Sequence, residues 1–218
     1  MRLLLTSGGL TNVSIANALF ELVGKKPEDT SLVFIPTAAN AEVGDKSWFI
    51  NDLLNLQKQN FKSVDIADIA AAPEEVWKSK MDAADVLFFG GGNTFYLMDW
   101  INRSGLEKIL PEYLKSKVYV GLSAGSMVTN RDLALELSQG LYDEDIEKTE
   151  NVPGLGYVDF YFLPHLNSEY FSKLRESNIR QAVGGISAKV YALDDQCALR
   201  VVDGSVDIVG GGKYLVLN

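Results

Sequence analysis

Residues 117–128 read Lys-Val-Tyr-Val-Gly-Leu-Ser-Ala-Gly-Ser-Met-Val, an alternating β-branched and aromatic run that breaks at Gly-Leu-Ser-Ala-Gly and resumes in small and apolar residues able to start a helix. Strand, sharp turn and helix follow one another with Ser123 at the apex. Glycines two residues to either side let the backbone take a strained turn and lift the hydroxyl off the sheet edge. A serine so placed suits attack on a carbonyl carbon. The same spelling also serves a helix that packs closely on a sheet, and Gly-x-Ser-x-Gly recurs by chance. A base, an acid and oxyanion donors must therefore come from elsewhere in the chain.

The rest of the sequence repeats the strand-turn-helix theme. Apolar runs at 3–6 and 32–36 predict buried strands, further strands are predicted at 61–66, 85–89 and 117–122, and helical spacing is predicted over 12–23, 47–59, 74–81 and 95–100. Strands alternating with helices at this interval imply a mostly parallel sheet covered on both faces, with the loops at the strands' carboxyl ends gathered along one edge. Ser7-Gly8-Gly9, Thr37-Ala38-Ala39-Asn40, Gly90 to Thr94 and Ser123 all fall at those ends. Further on, a strand is predicted over 157–163, a helix over 169–183, and short strands joined by tight turns such as Asp203-Gly204 over 189–217. The acidic stretch 139–153, including Asp143-Glu144-Asp145, reads as an irregular solvated excursion.

Composition narrows the possible partners. A chain of 218 residues with 47% hydrophobic and 22% charged residues fits one domain spanning 1–218. Its net charge of −9, with no basic cluster to reverse the field locally, argues against nucleic acid. The single cysteine, Cys197, excludes an internal disulfide and reads as core, and no Cys/His cluster suggests a metal. The first residues are too few for a signal peptide and read as a strand, and there is no long apolar run. The expectation is a soluble, cytoplasmic protein without a membrane partner.

His165, the only histidine, follows a predicted strand in a loop and must supply any imidazole that activates Ser123. Leu193-Asp194-Asp195-Gln196, at another strand end, offers two carboxylates to orient it, although most carboxylates at such positions are turn residues. The order is then Ser, His, acid, unlike the Ser, acid, His order of ordinary α/β-hydrolases. Gly90-Gly91-Gly92-Asn93-Thr94-Phe95 lacks the spelling of a phosphate loop or a dinucleotide turn. Its free amides, with that of Ala124, could instead face a developing oxyanion, or the glycines could form a packing turn.

Taken together and in order, Gly90 to Phe95, Gly121-Leu122-Ser123-Ala124-Gly125, Pro164-His165 and Leu193-Asp194-Asp195 resemble peptidase family S51, the group of peptidase E (aspartyl dipeptidase) and cyanophycinase. The resemblance covers nearly the whole chain. It implies a three-layer α/β sandwich of the class I glutamine-amidotransferase-like (flavodoxin-like) kind and a serine hydrolase with Ser123 as nucleophile and His165 as base. The family's third residue is usually a glutamate, and its position matches Asp195, one methylene shorter. The resemblance further implies an oxyanion hole from Gly91 or Gly92 with Ala124, and substrate contacts from Asn93, Thr94 and Arg175. Arg175, expected on the helix after the histidine, would engage an aspartyl carboxylate. Gly-Leu-Ser stands where peptidase E has Gly-Trp-Ser. The expected substrate is a small peptide cut next to an aspartyl residue, with no metal or cofactor, by a monomer or homodimer. A β-aspartyl-arginine or other amide or ester hydrolase, or a non-catalytic binding module, are the alternatives.

Overall fold

The predicted alternation is realised as a layer of mostly parallel strands wrapped by helices. In the computed structural model, which describes residues 1–144 and 153–218, the chain begins β1 (Arg2–Thr6), α1 (Val13–Val23), β2 (Ser31–Ile35), α2 (Ser47–Gln57), β3 (Ser63–Ile66) and α3 (Glu74–Ala83). Next come β4 (Val86–Phe89), α4 (Thr94–Arg103), α5 (Leu106–Tyr113), β5 (Val118–Leu122), α6 (Ala124–Met127) and α7 (Leu135–Tyr142). The last elements are β6 (Tyr161–Leu163), α8 (Glu176–Ala182), β7 (Val190–Leu193), β8 (Cys197–Val202), β9 (Ser205–Gly210) and β10 (Tyr214–Leu217).

Seven strands form the central sheet in the order β3-β2-β4-β5-β1-β8-β9, parallel from β3 through β1 and antiparallel where β8 and β9 close one side. A second sheet, β10-β7-β6, stands beside it. The inner strands β1, β2, β4 and β5 read as nearly continuous apolar runs because both faces are covered, whereas the edge strand β3 is exposed. In β1, Leu3 and Leu5 point into one core with Val33, Ile35, Leu87, Phe89 and Tyr119, while Leu4 points into the opposite one with Phe34, Phe88 and Val120. Each such buried side chain contributes on the order of 2 kcal/mol. Local signals set the ends of α1: the Asn12 side chain accepts from the Ile15 amide, and Gly24, at φ 74°, terminates the helix. Asp203 and Gly204, both at positive φ, make the two-residue turn between β8 and β9.

Several expectations need correction. The helix predicted over 169–183 is limited to α8, because the chain from Asn167 to Arg175 is a folded loop closed by Asn167 N–H on the Leu174 carbonyl (2.8 Å) and Leu174 N–H on the Phe171 carbonyl (3.0 Å). The strand predicted over 157–163 shortens to β6, since the Tyr157 and Val158 amides turn instead to the Thr129 carbonyl. Helix α5 was not anticipated, Pro111 within it obscuring the pattern. The start of the stretch read as a solvated excursion is in fact the end of α7, followed by a half-buried Glu144. Asp145 and the rest of 145–152 lie outside the described residues. Among the described residues no helix is long and apolar enough to cross a membrane.

Candidate active site

Topology delivers the candidate residues to one edge. Ser123 directly follows β5, and Ser7 follows the neighbouring β1. Because β8 runs antiparallel to β1, with Ala198 opposite Thr6, the loop that enters β8 reaches the edge where β1 ends, and it carries Asp195 there. β6 and β7 are parallel, with Leu163 opposite Ala192, so His165 and Asp195 leave adjacent strand ends. The Leu166 amide donates to the Leu193 carbonyl (3.0 Å) and ties the two exits together.

The turn at Ser123 is tight and strained, at φ 49° and ψ −109°. Its glycines are steric necessities: a Cβ on Gly121 would lie 2.5 Å from the Gly125 oxygen, and one on Gly125 would lie 2.2 Å from the Phe89 oxygen. Buried hydrogen bonds hold this geometry. The Ser123 amide donates to the Thr6 carbonyl (3.0 Å), as does the Ser126 hydroxyl (2.9 Å), and the Tyr119 hydroxyl donates to the Gly125 carbonyl (2.6 Å).

Ser123, His165 and Asp195 come together. Nε2 of His165 lies 3.0 Å from Ser123 Oγ, and Nδ1 lies 2.7 Å from Asp195 Oδ1. An ionised carboxylate can only accept, so Nδ1 carries the proton, and Nε2 is left with a lone pair facing the serine hydroxyl. Burial pushes the Asp195 carboxyl upward in pKa, but the hydrogen bond and charge of His165 together with the Ser7 hydroxyl outweigh it and hold the group below the ordinary value. Asp194, the other carboxylate of the pair, serves the turn: its oxygens accept from the amides of Gln196 (2.9 Å) and Lys213 (2.5 Å).

Gly91 passes close to the serine, and Gly92 follows it. A Cβ on Gly91 would sit 3.4 Å from Ser123 Cβ, and Gly92, at φ 129°, presses against the Ala38 carbonyl, 2.3 Å from where its Cβ would be. Among the described residues no acceptor engages the amides of Gly91, Gly92 or Ala124. Asn93 and Thr94, expected as substrate contacts, sit at the start of α4. The Asn93 carboxamide caps α4, accepting from the amides of Phe95 (3.1 Å) and Tyr96 (2.9 Å). The Thr94 side chain is fully buried, its hydroxyl directed at Met127 Sδ (3.6 Å). Arg175 does not lie on a helix but at the residue before α8, where its Nη1 donates to the carbonyls of Phe171 (3.2 Å) and Leu174 (3.1 Å). It has no carboxylate partner among the described residues.

Four contributors escaped the sequence reading. The hydroxyl of Ser7, fully buried, accepts the His165 backbone N–H (2.6 Å) and donates to Asp195 Oδ1 (2.8 Å); a small polar residue at the end of β1 was its only signal. Phe171 stacks on the His165 ring, centroids 4.8 Å apart and planes 14° from parallel. Oε1 of Glu144 accepts the Thr94 N–H (2.8 Å) at the start of α4, and burial raises this carboxyl's pKa. On α2, burial and then the charge of Asp195 push the Asp52 carboxyl up to about 7.

Known proteins resemble this chain over most of its length. A profile of Peptidase family S51 matches residues 3–209. An uncharacterized peptidase of Listeria monocytogenes is 27% identical over 170 residues, 78% of this chain and 80% of the relative. A peptidase E of Streptomyces coelicolor is 28% identical over 141 residues, 62% of this chain and 56% of the relative. The crystal structure of a candidate peptidase E protein from Listeria monocytogenes EGD-e has the same fold, with a TM-score of 0.78 at 26% identity over 97% of this chain and 98% of the other.

Proposed function

The chain belongs to peptidase family S51, a family of peptidase hydrolases, and from that premise we propose that it is a serine-type peptidase that cuts small peptides next to an aspartyl residue through an acyl-enzyme on Ser123. The observation that carries this reading is the continuous line from Ser123 Oγ to His165 Nε2 (3.0 Å) and from Nδ1 to Asp195 Oδ1 (2.7 Å), built on a serine held at positive φ.

The chemistry runs as a general-base and then general-acid cycle on one imidazole. His165 Nε2 takes the proton of Ser123 Oγ as that oxygen bonds to the scissile carbonyl carbon. The carbonyl oxygen, now carrying negative charge, is met by the amides of Gly91 or Gly92 and Ala124; a single such donor is worth about 10²–10³ in turnover. The C–N bond then breaks, and the imidazolium returns its proton to the leaving amine. Water enters and gives a proton to Nε2 while its oxygen attacks the ester carbon, and Ser123 leaves with the proton restored. Asp195 accepts from Nδ1–H throughout and stabilises the imidazolium. The balance closes without a metal or cofactor.

The aspartyl preference rests on Arg175, a cation one short loop from the base. In a chain of net charge −9, an acidic substrate needs such a local positive group. That Nη1 is already shared by two backbone carbonyls supports a second reading, an amide hydrolase of broader acyl specificity with the same three residues. A panel of Asp-X, Glu-X, isoaspartyl and neutral dipeptides separates the two. The expected result is turnover concentrated on Asp-X, abolished in Ser123→Ala, with a fluorophosphonate probe labelling Ser123 in the wild type. A folded wild-type protein that neither turns over nor labels would leave a binding module of the same fold.

A further inference from the structure

The His165 imidazole is gripped in its plane by two hydrogen bonds, but one of them is temporary. Once Ser123 Oγ is esterified it has no proton to share, and until water reaches Nε2 only the Nδ1 hydrogen bond to Asp195 still orients the ring. Rotation about the bond to an aromatic ring is soft, so a ring held at one nitrogen can swing. The face of this ring is covered, however. Phe171 lies parallel to it, centroids 4.8 Å apart and 14° between planes.

Phe171 is itself held in place. Tyr142, at the end of α7, meets it edge-on (5.7 Å, 69°) and donates its hydroxyl to the carbonyl of Pro164, the residue before the histidine (3.0 Å). The Phe171 carbonyl accepts from Arg175 Nη1 and from the Leu174 amide. An ion pair between Lys173 and Asp143 ties the same loop to the end of α7. The stack is therefore a built contact between two anchored segments rather than a chance approach of a surface side chain.

We propose that Phe171 is a positioning residue for His165, its ring holding the imidazole in the plane that serves Ser123 and Asp195 when the serine hydrogen bond is absent. This rests on the reading of His165 as the base. A phenyl face also favours the charged imidazolium that each half-reaction forms, and it shields that face from water. Phe171 carries no group that can react and acts only through the His165 ring, so its loss acts on turnover and leaves substrate binding almost alone.

Phe171→Leu keeps apolar bulk and removes the flat face, whereas Phe171→Tyr keeps the face. In Phe171→Leu, kcat is expected to fall about tenfold or more, since small misplacement of a catalytic group is costly. KM should stay within about twofold, and Phe171→Tyr should restore kcat. Because His165 is the only histidine, its ring CH protons can be assigned by their absence in His165→Ala, and loss of the phenyl ring current in Phe171→Leu should move them downfield. The rate of fluorophosphonate labelling at Ser123 should fall with kcat. Labelling and turnover that match the wild type in Phe171→Leu would overturn the proposal while leaving the base assignment intact, as would equal losses in the Leu and Tyr variants. A wild-type protein that fails to label would instead remove the base assignment itself, and the positioning role with it.

Discussion

Gly8 leaves no room for a side chain beside Asp195: a Cβ on Gly8 would lie 2.9 Å from the Asp195 Cβ and 3.2 Å from its Cγ. This contact bears on the resemblance, which implies a glutamate at the position of Asp195. The shorter carboxylate reaches the imidazole at 2.7 Å because the loop after β1 lets its backbone come close. Gly8→Ala should push Asp195 away from Nδ1, lowering kcat about tenfold or more and costing roughly 1–3 kcal/mol of stability. Steady-state kinetics with a urea titration checks both; a kcat within about twofold of wild type would mean the acid tolerates displacement. Asp195→Glu, with its extra methylene in the same tight space, should also lose activity.

Ser7 links the backbone of the histidine to the carboxylate that orients it, accepting at 2.6 Å from one and donating at 2.8 Å to the other. Ser7→Ala leaves the His165 N–H without its acceptor and removes a donor from Asp195 Oδ1. An unsatisfied buried group costs about 1–3 kcal/mol, and the carboxylate loses part of what holds its pKa down. The expected result is a severalfold fall in kcat. Ser7→Thr, which retains the hydroxyl, should fall less than Ser7→Ala when kcat is measured across pH. Equal losses would assign Ser7 to packing alone.

Much of this arrangement was legible in the sequence because it depends on short-range signals. The buried strands announce themselves as apolar runs, the elbow by two glycines whose absent side chains make room for backbone, and α1 by Asn12 and Gly24 at its ends. His165 stood out by being unique. Two misreadings arise where a contact overrides what the local spacing suggests. The apolar spacing of Tyr170, Phe171 and Leu174 looks helical, but Phe171 is drawn onto the His165 ring, and the loop closes on itself instead. Glu144 sits in an acidic stretch whose composition reads as solvated, yet its carboxylate is taken up by the Thr94 amide, fifty residues earlier in the chain. Nothing local distinguishes such a residue from the exposed Asp143 beside it.

Asp52 supplies a test by pH. Its folded-state value, pushed to about 7 by burial and by the Asp195 charge, lies above the ordinary carboxylate value it recovers on unfolding. The folded state thus holds this proton more tightly than the unfolded chain. Its contribution is fully present below the unfolded value and is lost as pH rises from roughly 4 through the folded value. Asp52→Asn stays neutral at every pH. Its Tm should match that of the wild type near pH 4 and exceed it by several degrees at pH 8. A thermal scan of both proteins at the two pH values decides the matter, and a Tm difference that does not change with pH would show that Asp52 ionises freely in the folded state.

Arg175 separates the two functional readings. If its guanidinium receives the aspartyl carboxylate, that contact is an added charge-assisted hydrogen bond in both the bound and the transition states, and removing it should cost about 1.5–3 kcal/mol on acidic substrates only. Because Nη1 also donates to the carbonyls of Phe171 and Leu174, the variant loosens the loop that carries Phe171 as well. That second effect is independent of the substrate's charge. Arg175→Ala should therefore lower kcat/KM on Asp-X dipeptides by about 10–100-fold and on neutral dipeptides by far less, whatever part of the neutral loss arises from the loop. Arg175→Lys keeps the charge but forfeits the fork that serves carbonyl and carboxylate together, so it should recover only part of the acidic preference. An equal loss on acidic and neutral peptides would confine Arg175 to bracing the histidine loop and shift the reading to the broader amide hydrolase.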